Sequence, residues 1–134
     1  MDLIESPIVW ERYRYLFYMH VNLELVRQYR LLASKFDKRY ARFFNAPWKK
    51  QNMESLVIAE RYYQEALTYW WEALDWSTRA WELQHIHMDK VQRWADDNWR
   101  IENLELDYQE IIQEDLDRVA EVMAAFEAMD ESTY

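Results

Sequence analysis

The sequence predicts an all-α protein, and three observations support this. Glycine is absent from all 134 residues, although tight hairpin turns and phosphate-binding loops depend on it. Only two prolines, Pro7 and Pro47, interrupt the chain, and apolar residues recur at helical spacing. We therefore predict an elongated helical hairpin or a three-helix bundle of long, aromatic-rich helices, self-associating or packed on partner helices, within a single domain of residues 1–134.

Three helices are predicted, over residues of about 7–44, 52–95 and 99–129. Ser6 is a good N-cap, and proline is favoured at the first position of a helix, where Pro7 stands. Pro47 predicts a break, since the residue before a proline avoids the α region. A softer break is predicted at Asp96 to Asn98, where capping residues cluster. No proline or glycine separates the second and third helices, so a continuous helix is the alternative.

The second predicted helix has a seven-residue repeat, typical of a helix that holds one face towards a neighbour with left-handed supercoiling. Small side chains on this face let a second backbone approach closely. The repeat predicts a coiled-coil-like packing. Its members are Ala59, Ala66, Ala73 and Ala80, then Tyr63, Trp70 and Ser77, then Leu67, Leu74, Trp81 and Met88.

Aromatic residues make up 17% of the chain, with eight tryptophans and ten tyrosines. Apolar side chains surround the first helix between Leu16 and Val26, and such a helix is normally buried. Two further helices can hardly cover it, so we expect another chain to do so. Trp70 and Trp81 are assigned to the core. The interface candidates, of the residue types that dominate hot spots, are Trp76, Trp94, Trp99, Tyr62, Tyr69, Phe17 and Tyr18.

The net charge of −9 is unevenly distributed. Residues 1–52 carry ten basic and five acidic side chains, whereas residues 53–134 carry six and twenty. This asymmetry indicates either internal pairing or a basic partner for the acidic part. The second hypothesis is an acidic inhibitor, such as an immunity or phage anti-defence protein, whose carboxylates mimic nucleic-acid phosphates. The acidic-surface candidates are Asp96, Asp97, Glu114, Asp115 and Asp117.

A third hypothesis is a di-iron or haem-binding bundle. Glu82 and His85 form a Glu-x-x-His pair, the spacing of ferritin-like di-iron sites. Such a site needs two of these motifs and the chain has one, so a homodimer would have to supply the second. For a haem, His20, His85 or His87 could serve as the axial ligand. The surrounding residues select neither group, so no metal ligand and no cofactor is predicted.

Two further pairs, Arg79 with His85 and Arg14 with His20, have a spacing that resembles the HEPN ribonuclease family. That resemblance implies an all-α dimer whose site uses an arginine and a histidine separated by four to six residues. The family usually has a polar residue directly after the arginine, where this chain has Ala80 and Tyr15. No arrangement of residues suggests a serine or cysteine nucleophile with an adjacent base, and long helices with short connections rarely enclose the cleft that a paired-carboxylate hydrolase needs. We therefore expect no catalytic residues and no enzyme.

The function predicted from the sequence is therefore a non-enzymatic interaction or assembly subunit that buries aromatic helix faces against a partner or a second copy. No direct nucleic-acid contact is expected. The N-terminus, Met1 to Glu5, is acidic where a signal peptide needs positive charge. No apolar run approaches the roughly twenty residues of a membrane span. A soluble, cytoplasmic protein is the expectation.

Overall fold

A computed structural model describes residues 7–37, 49–86 and 91–128. These residues form four α-helices and no strand, which confirms the prediction of an all-α protein. The hairpin or three-helix arrangement is not confirmed, because four helices are present. They are α1 Pro7–Ser34, α2 Lys49–Trp81, α3 Gln92–Glu102 and α4 Tyr108–Glu127.

The chain divides into two compact units, and each draws on separate stretches of sequence. Unit one comprises Met1–Leu25 and Thr68–Tyr108. It therefore contains the first part of α1, the last part of α2 and all of α3. Unit two comprises Val26–Leu67 and Gln109–Tyr134. It contains the last part of α1, the first part of α2 and nearly all of α4.

One face of α2, which we call the α2 seam, is buried along the helix. Its members are spaced alternately by three and four residues, and each is at most 2% exposed. Small alanines allow close backbone approach, while two large rings fill the space between them. In unit one, for example, the Trp70 ring meets the Tyr108 ring edge-on at 5.5 Å. The seam consists of Leu56, Ala59, Tyr63, Ala66, Trp70, Ala73, Ser77 and Ala80.

The end of α1 differs from the prediction of a helix over 7–44, because α1 ends at Ser34. Its last turn tightens, with the Lys35 and Phe36 amides donating to carbonyls three residues earlier at 3.1 and 2.9 Å. The Asp37 side chain is buried and accepts a hydrogen bond from the Tyr63 hydroxyl at 2.6 Å. This tertiary contact accompanies the departure of the chain from the helix. The break predicted at residues 45–48 lies outside the described residues.

The end of α2 also differs, since α2 ends at Trp81 rather than continuing to residue 95. Residues 82–86 form turns, in which the Leu83 and Gln84 amides donate to carbonyls three residues earlier at 3.0 and 3.1 Å. The Arg12 guanidinium donates to the Ile86 carbonyl, and this hydrogen bond holds the turn in unit one. The sequence has no glycine or proline here to indicate the stop.

The break predicted at Asp96 to Asn98 is wrong, because these residues lie inside α3. The Asn98 amide is fully buried and donates to the carbonyl and hydroxyl oxygens of Ser77, both at 2.9 Å. Burial with satisfied donors outweighs the preference of these residue types for helix ends. The helix predicted over 99–129 is consequently two pieces, the end of α3 and the whole of α4, separated by residues 103–107.

The connection after α3 forms a Schellman-type cap without glycine. The Glu105 amide donates to the Arg100 carbonyl at 2.7 Å, and the Leu104 amide donates to the Ile101 carbonyl at 3.1 Å. Leu104 takes the left-handed conformation, with φ of 62°, at the position where helices usually have glycine. Its side chain is 86% exposed, so packing does little to offset this conformational cost. The connection is therefore a strained point in unit one.

Replacing Leu104 with glycine is expected to stabilise the protein by about 1 kcal/mol, because a β-carbon disfavours positive φ. A thermal melt followed by circular dichroism should show a midpoint raised by about 4 °C. Leu104→Ala is the matched control, since it removes the exposed side chain but keeps the β-carbon. A glycine variant that melts no higher than the alanine variant would contradict this explanation.

Candidate functional site

In unit one, α1 has apolar side chains on two opposite faces. The inner face, with Leu16, Met19 and Leu23, is fully buried. The outer face carries a group that we call the α1 patch, and each member exposes more than a third of its surface. The patch consists of Trp10 at 44%, Phe17 at 40%, Tyr18 at 40% and Val21 at 38% exposed.

Trp94 of α3 supports one side of the α1 patch. Its ring lies 5.7 Å from the Phe17 ring, and 5.7 Å from that of Tyr13. The His20 ring stacks on the same indole at 5.1 Å and an interplanar angle of 21°. Tyr13 in turn meets Trp10 edge-on at 5.8 Å. One indole therefore fixes rings from three positions of α1 spaced by four and three residues.

Trp76 of α2 supports the other side of the patch. Its ring lies 4.8 Å from that of Tyr18 and stacks on that of Tyr15 at 5.7 Å. The Arg79 guanidinium lies 4.6 Å from the centre of the indole, a cation–π contact. Phe17 and Tyr18 also contact each other at 5.9 Å. The exposed rings are therefore held in place from beneath, and little side-chain entropy is left to lose on binding.

Polar contacts fix the helices behind the patch. Ser77 of α2 donates to the Glu102 carboxylate of α3 at 3.0 Å and accepts from the buried Asn98 amide. Arg12 is only 6% exposed, and burial lowers the pKa of its guanidinium. Burying a charged group is costly unless it is hydrogen-bonded, so the Ile86 carbonyl that Arg12 meets is a specific docking point for α1.

The structure brings four predicted interface residues together, namely Phe17, Tyr18, Trp76 and Trp94. The first two are exposed, whereas the two indoles are half-buried beneath them. Trp99 is 46% exposed on α3. Tyr69 is half-buried in unit one. Tyr62 lies in unit two, where its ring is 6.0 Å from Tyr29 and 6.1 Å from Phe36.

Other exposed apolar residues escaped the prediction, among them Trp10, Val21 and Trp71, the last of these 52% exposed. The missed signal for the first two is their spacing. Positions 10, 17 and 21 recur at intervals that keep one face of a helix. Trp71 adjoins the buried Trp70, and no pattern in the sequence indicates which of two adjacent indoles faces outwards. Of the two indoles assigned to the core, Trp70 is 2% exposed and Trp81 is half-buried.

The acidic-surface candidates separate into buried and exposed residues. Asp97 and Asp115 are 9% and 5% exposed; Asp97 pairs with Arg100 at 3.6 Å, so neither carboxylate is a surface charge. Asp96 and Asp117 are exposed and accept hydrogen bonds from glutamines four residues earlier. Glu114 is exposed too. Together with its neighbours it forms a stripe that we call the α4 acidic stripe, made of Glu110, Glu114, Asp117 and Glu121.

Unit two contains a buried ionic network. Arg118 of α4 lies 3.2 Å from Asp37 and 2.8 Å from Asp115, and Arg30 of α1 reaches Asp115 at 3.3 Å. The Tyr63 hydroxyl donates to Asp37. Burial, followed by that hydrogen bond, raises the pKa of Tyr63 to about 12. The network joins α1 and the turn after it to α4, and breaking an ion pair with a buried carboxylate is destabilising.

A cavity of about 260 Å³ adjoins this network. Its wall combines two guanidinium groups, a phenol and a hydroxyl with the apolar side chain of Leu31. The volume is below the roughly 300–1,000 Å³ that is usual for small-molecule sites. The cavity is lined by Arg27, Arg30, Leu31, Ser34 and Tyr63.

The residues considered for metal, haem and ribonuclease sites are scattered. Glu82 and His85 lie in the turn after α2 rather than on a helix, and His20 stacks on Trp94. His87 lies outside the described residues. Within the described residues, no three histidine or carboxylate side chains are grouped so as to hold a metal ion. Arg79 pairs with Asp75 at 3.2 Å.

No helix among the described residues is both long enough and apolar enough to cross a bilayer.

A family model described as "Domain of unknown function (DUF8513)" matches residues 8–129. The match spans all four helices, so the chain belongs to this family. Neither the curated proteins nor the solved structures contain a match to the chain.

Replacing Tyr63 with phenylalanine is expected to lower the free energy of unfolding by about 1–3 kcal/mol at neutral pH, because Asp37 loses a buried donor. The pH dependence should change as well. The ordinary tyrosine pKa of 10.0 is raised to about 12 in the folded protein, so the unfolded chain releases this proton first. Stability from this group is complete below pH 10 and is lost as the pH rises towards 12.

Urea unfolding at several pH values between 9 and 12 tests this prediction. The loss of stability with rising pH should be steeper in the wild-type protein than in Tyr63→Phe. Tyr62→Phe serves as the control, because it removes a half-buried hydroxyl from the neighbouring position. Parallel stability curves for the wild type and Tyr63→Phe would contradict the assignment.

Proposed function

We propose that this member of the DUF8513 family is a non-enzymatic interaction or assembly subunit that buries the α1 patch against a partner chain. One observation carries the proposal. Phe17, Tyr18 and Val21 stand exposed with Trp10 on one side of α1, while the opposite side of the same helix already lies in the core. Contiguous exposed apolar side chains of this kind typically mark interaction sites.

The composition and support of the patch suit it to binding. Tryptophan and tyrosine dominate interface hot spots, where truncation of one side chain costs about 2 kcal/mol or more. Phe17 rests on Trp94 and Tyr18 on Trp76, so both rings are already ordered before a partner arrives. Binding then loses less conformational entropy than it would at a flexible surface. The patch therefore supports a preformed docking face.

A photo-crosslinking amino acid at position 17 is expected to form a covalent product with a partner chain in an extract of cells that produce the protein. The matched control places the same amino acid at Thr78, which is exposed on α2 in the same unit. Val21→Ser within the crosslinking chain should reduce the product, because it removes an apolar side chain from the patch. Equal crosslinking from positions 17 and 78 would contradict the proposal.

The α4 acidic stripe favours a second candidate, an acidic inhibitor of a protein with a basic surface. Its residues recur at intervals of four and three, which places like charges side by side on one face of the helix. Such an arrangement costs helix stability. The single basic residue of α4, Arg118, turns to Asp37 and Asp115. A cationic partner would relieve the repulsion.

The salt dependence of binding distinguishes the two candidate functions, because salt screens exposed charges but does not weaken apolar contacts. Crosslinking from Gln113, beside the stripe, should fall between about 50 and 500 mM NaCl if the stripe binds a basic partner. Crosslinking from position 17 should persist over the same range. A salt-sensitive product at position 17 would favour an electrostatic mode of binding over burial of the patch.

A further inference from the structure

We infer that Arg12 binds an oxyanion, either a carboxylate or a phosphate group, through the edge of its guanidinium that carries Nε and Nη2. The inference comes from a positive charge that is buried in unit one without a counterion among the described residues. Only 6% of the Arg12 surface is exposed. The inference is independent of the proposed function, because Arg12 follows the inner face of α1 and the α1 patch lies on the outer face.

The burial of Arg12 follows from its position on α1. Arg12 stands one turn before Leu16, and Leu16 begins the line of fully buried side chains that continues with Met19 and Leu23. Spacings of four and three residues keep these positions on one side of a helix. The helix therefore carries the guanidinium into the interior of unit one. Burial there lowers the pKa of Arg12, since the interior solvates an ion less well than water does.

No carboxylate of the described residues compensates this charge. Arg12 donates from Nη1 to the Ile86 carbonyl, and it makes no ion pair in the part of the chain that the structure describes. The two arginines of the ionic network in unit two differ in this respect, because Arg30 and Arg118 both reach Asp115. Arginines are almost never buried unless they are paired. The unpaired charge of Arg12 therefore requires an explanation.

The hydrogen bond to Ile86 does not account for the charge. A carbonyl oxygen needs only a donor, and the neutral amide of a glutamine could supply one without burying an ion. A guanidinium carries five N–H donors in a planar fork. The Nε–H of Arg12 is buried and has no acceptor. An arginine at this position is explained when a bound anion supplies both the missing acceptor and the missing charge.

The remaining donors have the arrangement that an oxyanion requires. In a guanidinium, the Nε–H bond and one N–H bond of Nη2 point the same way along one edge, and this edge matches two oxygens of a carboxylate or phosphate. The Ile86 carbonyl occupies Nη1 and leaves this edge open. Nε is shielded from water, whereas Nη2 is not. An anion that reaches Nη2 therefore lies beside Nε as well.

The first test follows the Nε–H signal of Arg12 by NMR in the wild-type protein, assigned by through-bond correlation. Sodium acetate and sodium phosphate are titrated separately, and sodium chloride keeps the ionic strength constant. Each anion that binds should shift the signal to a plateau as the site fills. A signal that responds to neither anion would overturn the inference, and this measurement needs no variant to fold.

Thermal melts compare Arg12→Gln with Arg14→Gln, two variants that lose the same charge from the same helix. A ligand that binds only the folded protein raises its melting midpoint. At roughly ten times the dissociation constant from NMR, the anion should raise the midpoints of the wild type and Arg14→Gln by about 4 °C more than that of Arg12→Gln. Equal rises in all three proteins would indicate a general effect of the salt and would overturn the inference.

The two anions distinguish the possible sources of the oxyanion. A tighter response to acetate identifies a carboxylate, as on an acidic side chain or a small organic acid. A tighter response to phosphate identifies a phosphate group. Either result supports recognition by the open edge of Arg12, provided that Arg12→Gln abolishes the response and Arg14→Gln retains it. Loss of the response in Arg14→Gln as well would contradict a specific role for Arg12.

Discussion

The central constraint is that α1 carries apolar side chains on two opposite faces, while the helices of unit one cover only one of them. Leu16, Met19 and Leu23 occupy the inner face and are withdrawn from water. The outer face keeps Phe17 and Val21 in contact with solvent. Exposing such groups forgoes about 25 cal/mol for each Å² that could be buried. The proposed partner chain would cover them.

The rest of unit one is organised around this helix. Trp94 and Trp76 each receive rings from α1, and the Ser77–Asn98 contact fixes the two helices that carry those indoles. Arg12 anchors the inner face to the turn after α2. These contacts hold α1 in one orientation, so its outer face is presented as a defined surface. Rigid support of this kind is what a docking face needs.

Periodicity in the sequence identified much of the core. Ala59, Ala66, Ala73 and Ala80 are all fully buried, because a seven-residue repeat follows the geometry of a helix that packs along its length. The apolar side chains on all sides of α1 likewise indicated that the chain itself would not bury all of them. Phe17 and Tyr18 are among these side chains. These features depend on the spacing of residues along one element, which a sequence displays directly.

The missed features depend on contacts between distant residues. The residue type of Asn98 predicts a helix break, yet Asn98 lies inside α3, where its side-chain NH2 group donates to Ser77 of α2. Asp37, three residues after the end of α1, contacts Tyr63 and Arg118, which are 26 and 81 residues away in the sequence. The sequence predicts Asp115 as a surface charge, but its buried carboxylate forms ion pairs with Arg30 and Arg118. Leu104 takes the left-handed conformation at a position where helices usually have glycine, and nothing in the sequence predicts this conformation for a leucine.

Hydroxyl-radical footprinting of Phe17, in the purified protein and in an extract of cells that produce it, tests the central claim most directly. Oxidation of Phe17 should fall relative to that of Trp71 in the extract, because only the outer face of α1 becomes covered. If the ratio of the two oxidation rates is the same in both samples, the outer face of α1 is not the surface that another chain covers.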